Sequence, residues 1–400
     1  MYTPADARKI LDEAIRPLPA ALLPLSAAHG HLLASDLIAP VDLPLFDQSA
    51  MDGYAVKFDP DKPDLAPHFE MIGAIKAGDT QTVTLETGQC VRIFTGARVP
   101  ASANVVVMQE KTEQVDNQVK MAPETLKIGT NIRYQGSQIK TGAIALPAGT
   151  ALQAGAIGFL ASMGVAEALV IPRPRVAVIS TGDELRPAGT KLKPGEIYES
   201  NQAMLLAALV ESGVSNVQSA VLTDNEAHIR SGVAAMLSDC DMLILSGGIS
   251  VGDYDFVGKA LQQIGVEQLF YKVSQKPGKP LFAGRLNDKI IFALPGNPGA
   301  VLTCFYEYVL PVIRRMSGRN DMFLPAIQAK ITDSFHNNAD RSLFLKAILE
   351  NGAVRILEKQ GSDMLHSFAM TNALVFIPEG EKVEQGDLVE VHFLPFATMT

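Results

Sequence analysis

The stretch Met242-Leu243-Ile244-Leu245-Ser246-Gly247-Gly248-Ile249-Ser250-Val251-Gly252-Asp253-Tyr254-Asp255 decides how the rest of the chain is read. Met242 to Leu245 carry no alternating polar residue, the pattern of a strand buried on both faces. At Ser246-Gly247-Gly248 the glycines admit positive φ and let a ligand approach bare backbone. Successive N–H groups in such a loop form a concavity suited to an anion. Asp255 closes the loop, and apolar residues at 256, 257, 260, 261 and 264 begin a helix. A carboxylate beside an anion nest is electrostatically odd unless a metal ion or a proton transfer mediates between them. Taken alone, the loop is equally well a tight turn with a solvated aspartate.

Outward from this unit, the same strand-to-loop pattern recurs. Ile171-Pro172-Arg173-Pro174 is a stiff linker, and beyond it strands alternate with helices as in a doubly wound parallel sheet. A strand from Arg175 to Ile179 ends in Ser180-Thr181-Gly182-Asp183-Glu184. Ser200-Asn201 caps a helix with Met204, Leu205, Ala208 and Leu209 on its apolar face. Asn216 to Leu222 is a strand that ends at Thr223-Asp224. Lys289 to Leu294 runs into Pro295-Gly296-Asn297-Pro298, where Asn297 suits an N-cap and Pro298 a first helical residue. The dipole of a helix over 299–315 then points its positive end into that loop. If the four strands are parallel, all their loops emerge at the carboxyl edge of one sheet, where open α/β sheets bind ligands. Lys272, Lys276 and Lys279 add cations, the last two in a rigid Lys-Pro-Gly-Lys-Pro turn around Gly278. Asp183, Glu184, Asp224 and Asp255 add carboxylates and are the expected metal ligands. Nests, cations and carboxylates together suit a phosphate-bearing ligand with a divalent metal.

The flanks read differently. Residues 46–145 are rich in Val, Thr and Gly in short alternating runs and predict an inserted mostly-β domain. Residues 319–400 hold five short strand patterns and fit a small β-barrel or sandwich, of which the barrel is the expectation carried forward. Residues 1–45 and 146–172 flank that insertion as a discontinuous N-terminal helical/β linker domain, and 173–318 is the α/β domain. A chain of 400 residues exceeds one hydrophobic core, in keeping with several domains. Thr3-Pro4-Ala5-Asp6 reads as a capped helix start, not a targeting signal, and the apolar stretch 151–171 is interrupted by Gln153 and Glu167. The expectation is therefore a cytoplasmic protein with no membrane partner. A net charge of −9 with no basic block argues against a nucleic-acid partner. Cys90, Cys240 and Cys304 match no zinc or disulfide spacing and read as small buried hydrophobes.

At this point the motifs carry a family resemblance over nearly the whole chain. Ser49-Ala50-Met51-Asp52-Gly53-Tyr54-Ala55, Thr95-Gly96, Ser180 to Leu185, Ser200-Asn201, Ser246 to Gly252 with Asp255, Lys276-Pro277-Gly278-Lys279-Pro280 and Pro295-Gly296-Asn297-Pro298 stand in the order of the molybdopterin molybdenumtransferases. The chain resembles that family, which includes the carboxyl-terminal domain of gephyrin. The resemblance implies an elongated homodimer that inserts molybdate into adenylylated molybdopterin and releases AMP, assisted by magnesium. It implies catalytic roles for Asp52, Thr95, Glu184, Asp255, Lys272 and Lys276, with Asp52 and Thr95 facing the α/β domain of the other chain. Substrate binding falls to Ser180, Thr181, Gly182, Asp183, Ser200, Asn201, Asp224, Ser246, Gly247, Gly248, Ser250, Gly252, Gly278, Lys279, Pro295, Gly296, Asn297 and Pro298, with Lys346 and Ser367 added from the barrel. Expected protein partners are the preceding molybdopterin adenylyltransferase and downstream cofactor-handling proteins.

Two positions depart from the family. Ser137-Gln138 stand where it usually has an acidic pair, and Lys346 where it usually has arginine. Lysine keeps the charge but loses bidentate anion geometry. The competing functional readings are the adenylyltransferase of the same pathway, which resembles only about 175–315, and a non-enzymatic scaffold, which has no need of this set of carboxylates and lysines.

Overall fold

A computed structural model describes residues 1–61, 68–249 and 256–395. They fall into two compact units: Met1–Ala21 with Gly30–Leu32 and the chain from Val170 onward, and Leu22–His29 with Leu33–Leu169.

The first unit is built on a six-stranded sheet. Its strands are β1 (Val176–Thr181), β2 (Val217–Leu222), β3 (Met242–Ser246), β4 (Glu267–Tyr271), β5 (Phe282–Leu286) and β6 (Lys289–Leu294), in the order β2-β1-β3-β6-β5-β4. The first four in that order are parallel, and their registers set Ser180 of β1 beside Ser246 of β3. The sheet is not parallel throughout, because β4 and β5 join β6 as an antiparallel edge. A short β5–β6 turn at Asn287 (φ 53°) makes that hairpin, so no crossover helix is needed there.

Both faces of the sheet are covered, which accounts for the unbroken apolar run of Met242 to Leu245. Val176, Val178, Ile244 and Phe292 face the helix Asn201–Glu211, the segment from Pro298 to Met316 and Leu11 of the helix Pro4–Ala14. Ala177, Ile179, Leu245 and Ile291 face the helices Glu226–Asp239 and Phe256–Ile264. Each large aliphatic side chain so buried contributes about 1.5–3 kcal/mol. The first helix starts as its sequence suggests. Thr3 Oγ1 accepts the Asp6 N–H at 3.1 Å while the Asp6 carboxylate accepts the Thr3 N–H at 2.9 Å. The helix expected over 299–315 is instead Pro298–Cys304, a π turn at Phe305–Val309 and Leu310–Met316. Its Pro311 lacks an N–H, which weakens the α-helical ladder there.

Strands Ala326–Ile331, Ser342–Glu350, Ala353–Ile356, Ala373–Ile377 and Leu388–Phe393 close into a five-stranded barrel, because Ser342–Glu350 pairs with both Ala353–Ile356 and Ala373–Ile377. Gln275 and Lys276 add to its edge beside Ser342 and Leu343. The second unit holds another six-stranded sheet, made by Val105–Met108, Gly53–Val56, Gln89–Ile93, His68–Ile75, Gln118–Met121 and Thr112–Val115. A Cβ at Gly53 would lie 1.9 Å from the Val107 carbonyl oxygen, so only glycine fits there. Cys90, Cys240 and Cys304 are buried and unpaired, and burial pushes the Cys90 thiol up to about 12. Among the described residues no helix is long and apolar enough to cross a membrane.

Candidate active site

The order β2-β1-β3-β6 reverses direction between β1 and β3, the position where open α/β sheets hold ligands. The glycines after β3 fit closely against the loop after β1. Gly247 has φ 88° and a Cβ there would meet the Thr181 carbonyl oxygen at 2.5 Å. Gly248 has φ 62° and its Cβ would meet Thr181 Oγ1 at 2.6 Å. Asn201 ties three of the loops together, donating from Nδ2 to Ser246 Oγ at 2.9 Å and to the Gly296 carbonyl at 2.7 Å. Ser200 makes no side-chain cap to its helix; Glu199 does the work instead, accepting the Gln202 N–H at 2.7 Å and the Ser180 hydroxyl at 3.0 Å. Asn297 likewise occupies an N-cap without a side-chain cap bond, and its Nδ2 donates to Ser362 Oγ at 2.7 Å.

Charge is segregated along this edge. On the β1 and β2 side lie Asp183, Glu184 and Asp224, with the Asp224 N–H donating to Asp183 Oδ1 at 3.2 Å. Burial first, and then the charges of Glu184 and Asp183, raise the Asp224 carboxyl above its usual range. Asp224 Oδ1, Thr181 Oγ1 and Asn201 Oδ1 are buried without a hydrogen bond of good geometry, although Thr181 lies near enough to Asp224 to offset part of the rise in its carboxyl. Such orphaned oxygens are what a cation or a ligand hydrogen would satisfy. Among the described residues, no three carboxylate, histidine or cysteine groups gather closely enough to hold a metal. Asp255, Ser250 and Gly252 lie outside the described residues.

On the β6 side a cavity of about 410 Å³ is lined by Lys276, Gly278, Lys279, Pro295, Gly296, Asn297, Arg341 and Ser362. Asp340 holds the Arg341 guanidinium, with Nε to Oδ1 at 2.6 Å. Gly299 is required for the loop to meet Ser362, since a Cβ would lie 2.8 Å from the Ser362 carbonyl. The cavity thus combines three cations, two amide or hydroxyl side chains and a helix N-terminus, a setting for a compact oxyanion.

Residues 2–164 match the MoeA N-terminal region (domain I and II), residues 177–315 a probable molybdopterin binding domain, and residues 328–394 the MoeA C-terminal region (domain IV). A molybdopterin molybdenumtransferase of Nostoc sp. is 36% identical over 94% of this chain and 88% of its own length. Molybdopterin molybdenumtransferase 2 of Mycobacterium tuberculosis is 35% identical over 98% of this chain and 97% of its own length. The chain belongs to the molybdopterin molybdenumtransferase family. Two crystal structures of a molybdopterin biosynthesis moeA protein from Pyrococcus horikoshii share its fold, with TM-scores of 0.82 and 0.76, 27% and 28% identity, and 98% of this chain covered in each. They extend over 99% and 100% of those chains.

Against that family frame, several sequence-derived site residues fall outside the cavity. Lys346 is buried, and its Nζ donates to the carbonyls of Lys359, Gly361 and Met364 at 3.2, 3.2 and 3.0 Å. Ser367 is also buried, donating to the Lys359 carbonyl at 2.8 Å. Lys272, at φ 65°, stands with Nζ 4.8 Å from the Tyr271 ring centroid and does not line the cavity. In the second unit Asp52 and Thr95 form a pair: Asp52 Oδ1 accepts the Thr95 N–H and hydroxyl, both at 2.7 Å. These two bonds hold the exposed Asp52 carboxyl below its usual range. Arg341 and Gln275 are polar cavity residues that sequence reasoning left out, and Ser362 entered it only as part of a turn that could touch a ligand. The signals for Arg341 and Ser362 were an arginine opening the 341–346 motif and a polar turn at 360–364.

Proposed function

We propose that this chain inserts molybdate into adenylylated molybdopterin and releases AMP, giving the molybdenum cofactor. The observation that carries the reading is the cavity of Lys276, Lys279, Arg341, Asn297 and Ser362 at the carboxyl edge of the molybdopterin-binding region. Molybdate is a tetrahedral dianion of phosphate size, and charge-assisted contacts of this kind suit it. The substrate brings its own dithiolene sulfur, which fits three buried cysteines remote from any cluster.

The acidic side of the edge would receive the metal. Asp183, Glu184, Asp224 and Asp255 are the residues the resemblance assigns to magnesium. The first three do not by themselves make a metal cluster, so the ion would depend on Asp255 and the substrate's phosphates as well. The orphaned Asp224 Oδ1 is the observation in its favour. When bound, the ion neutralises phosphate charge. The nest at Ser246-Gly247-Gly248 and the Asn201 bridge orient the ligand, while Glu184 and Asp255 position the oxygen that attacks the AMP phosphorus. A cytoplasmic homodimer, with Asp52 and Thr95 of one chain completing the cleft of the other, belongs to the same proposal and rests on the resemblance. The adenylyltransferase reading has less support, because the flanks match regions typical of this family, 2–164 and 328–394.

Lys276→Ala tests the oxyanion cavity. Removing one charge-assisted contact of about 1.5–3 kcal/mol should raise the molybdate concentration for half-maximal insertion roughly ten- to a hundredfold. An unchanged molybdate dependence would move the oxyanion site elsewhere.

A further inference from the structure

The turn at Lys276-Pro277-Gly278-Lys279 supplies two of the three cavity cations, and its conformation depends on what lies beneath it. Beneath it is Gln275, whose side chain is fully buried. Gln275 Nε2 donates to the Pro277 carbonyl at 3.0 Å, and its Oε1 accepts the hydroxyl of Tyr308. Gly278, at φ 93°, lies so close that a Cβ would meet Cys304 Sγ at 2.4 Å and Gln275 Nε2 at 2.9 Å. The backbone of Gln275 and Lys276 pairs with Ser342 and Leu343, next to Arg341. One buried amide therefore sits at the junction of all three cations.

A glutamine amide has a donor end and an acceptor end of nearly the same shape, and either can face a neighbour. Only the donor end is compatible with the Pro277 carbonyl. The Pro277 carbonyl removes the ambiguity, because it can only accept and so takes the NH2 end, and the Tyr308 hydroxyl, able to donate or accept, donates to the Oε1 that is left. Tyr308 reaches that spot from the π turn Phe305–Val309, in which the neighbouring Glu307 is anchored by Arg8 and His392. Both Glu307 and Tyr308 are fully buried, so the turn is held on two sides.

We infer that Gln275 is the positioning residue of the oxyanion cavity, its donor end held on the lysine turn by the Pro277 carbonyl and its acceptor end anchored by Tyr308. The inference rests on the proposed molybdate site. Tyr308 does not line the cavity and acts on its cations only through Gln275, which stands among the lining residues with its side chain buried.

The test measures molybdate binding by titration calorimetry, well below the melting temperature, in Tyr308→Phe, Gln275→Met and Lys276→Ala chains. Tyr308→Phe deletes one buried oxygen, and Gln275→Met keeps the volume without either polar end. Each should weaken molybdate about five- to twentyfold, the scale of one or two lost hydrogen bonds, while saturation by adenylylated molybdopterin stays within about twofold. Residues that only support the fold would lower the melting temperature and leave molybdate affinity unchanged. If both variants keep wild-type affinity while Lys276→Ala loses it, the positioning role is wrong and the cavity stands. If Lys276→Ala also keeps it, the cavity reading fails and this inference with it. Should Tyr308→Phe not fold, Gln275→Met decides between the same outcomes.

Discussion

Asp224 stands between two further carboxylates with one buried oxygen lacking a hydrogen bond of good geometry, an arrangement that costs stability and asks for a counter-charge. Its carboxyl is raised, so the folded state binds this proton more tightly than the unfolded state does, and the strain grows as pH rises through its range. On the proposed magnesium site, magnesium should raise the melting temperature of the wild type, and Asp224→Asn should leave stability at neutral pH equal or higher, lower the activity and abolish that rise. A magnesium-dependent rise that persists in Asp224→Asn would remove this residue from the metal site. Asp255→Asn keeps size and removes charge; insertion should fall by about two to four orders of magnitude with substrate affinity much less affected. Near-normal single-turnover AMP release by that variant would sink the role. At this scale the sequence was legible where a loop motif carries its own chemistry, as in the glycines at 247 and 248. It misled where a side chain's direction decides. On the barrel strand Ser342–Glu350, Leu343, Leu345, Ala347 and Leu349 fill the barrel core. Lys346, on the opposite face, is buried against the carbonyls of 359, 361 and 364, and Arg341, just ahead of the strand, reaches the cavity. Period and spacing place a residue on a strand without saying which face the closed barrel assigns to it.

The π turn at Phe305–Val309 is the element no periodicity announced. An apolar run from Ala300 to Ile313 reads as one helix, because a single-residue slip in hydrogen bonding leaves composition unchanged. Its Glu307 is fully buried between Arg8 and His392, and His392 Nδ1 and Nε2 lie 2.8 and 2.7 Å from Glu307 and Glu390. Burial alone would lower the His392 imidazole, but the carboxylates of Glu307 and Glu390 outweigh it and hold it at about 9 against an ordinary 6.5. A pKa raised in the folded state stabilises most below the unfolded value, and that stabilisation is lost as pH rises through the folded one. The advantage of wild type over His392→Gln in unfolding free energy should therefore fall by roughly 3 kcal/mol between about pH 6 and pH 9.5. Denaturant melts across that range check it; a difference that grows with pH would mean the ring is neutral in the fold. Strands were the more legible elements. The buried parallel strands, the barrel strands and the capped first helix all follow from local pattern. The antiparallel β4–β5 edge does not, since hairpin and crossover differ in the connection rather than in the strands.

For the molecule as a whole, three regions of the family are matched in one order, at 2–164, 177–315 and 328–394. What composition cannot encode is assembly. If each cleft takes Asp52 from one chain and Asp255 from its partner, co-expressed Asp52→Ala and Asp255→Ala chains should form heterodimers with one doubly damaged cleft and one intact. With random pairing half the dimers are mixed, so activity should return at about a quarter of wild type. A mixture as inactive as either parent, with heterodimers shown to form, would place each cleft within one chain. The central claim is the reaction itself. Purified chain supplied with adenylylated molybdopterin and magnesium should release AMP and yield molybdenum cofactor together, each rising with added molybdate to the same half-saturation. AMP release without cofactor, or cofactor formation indifferent to molybdate, would contradict it.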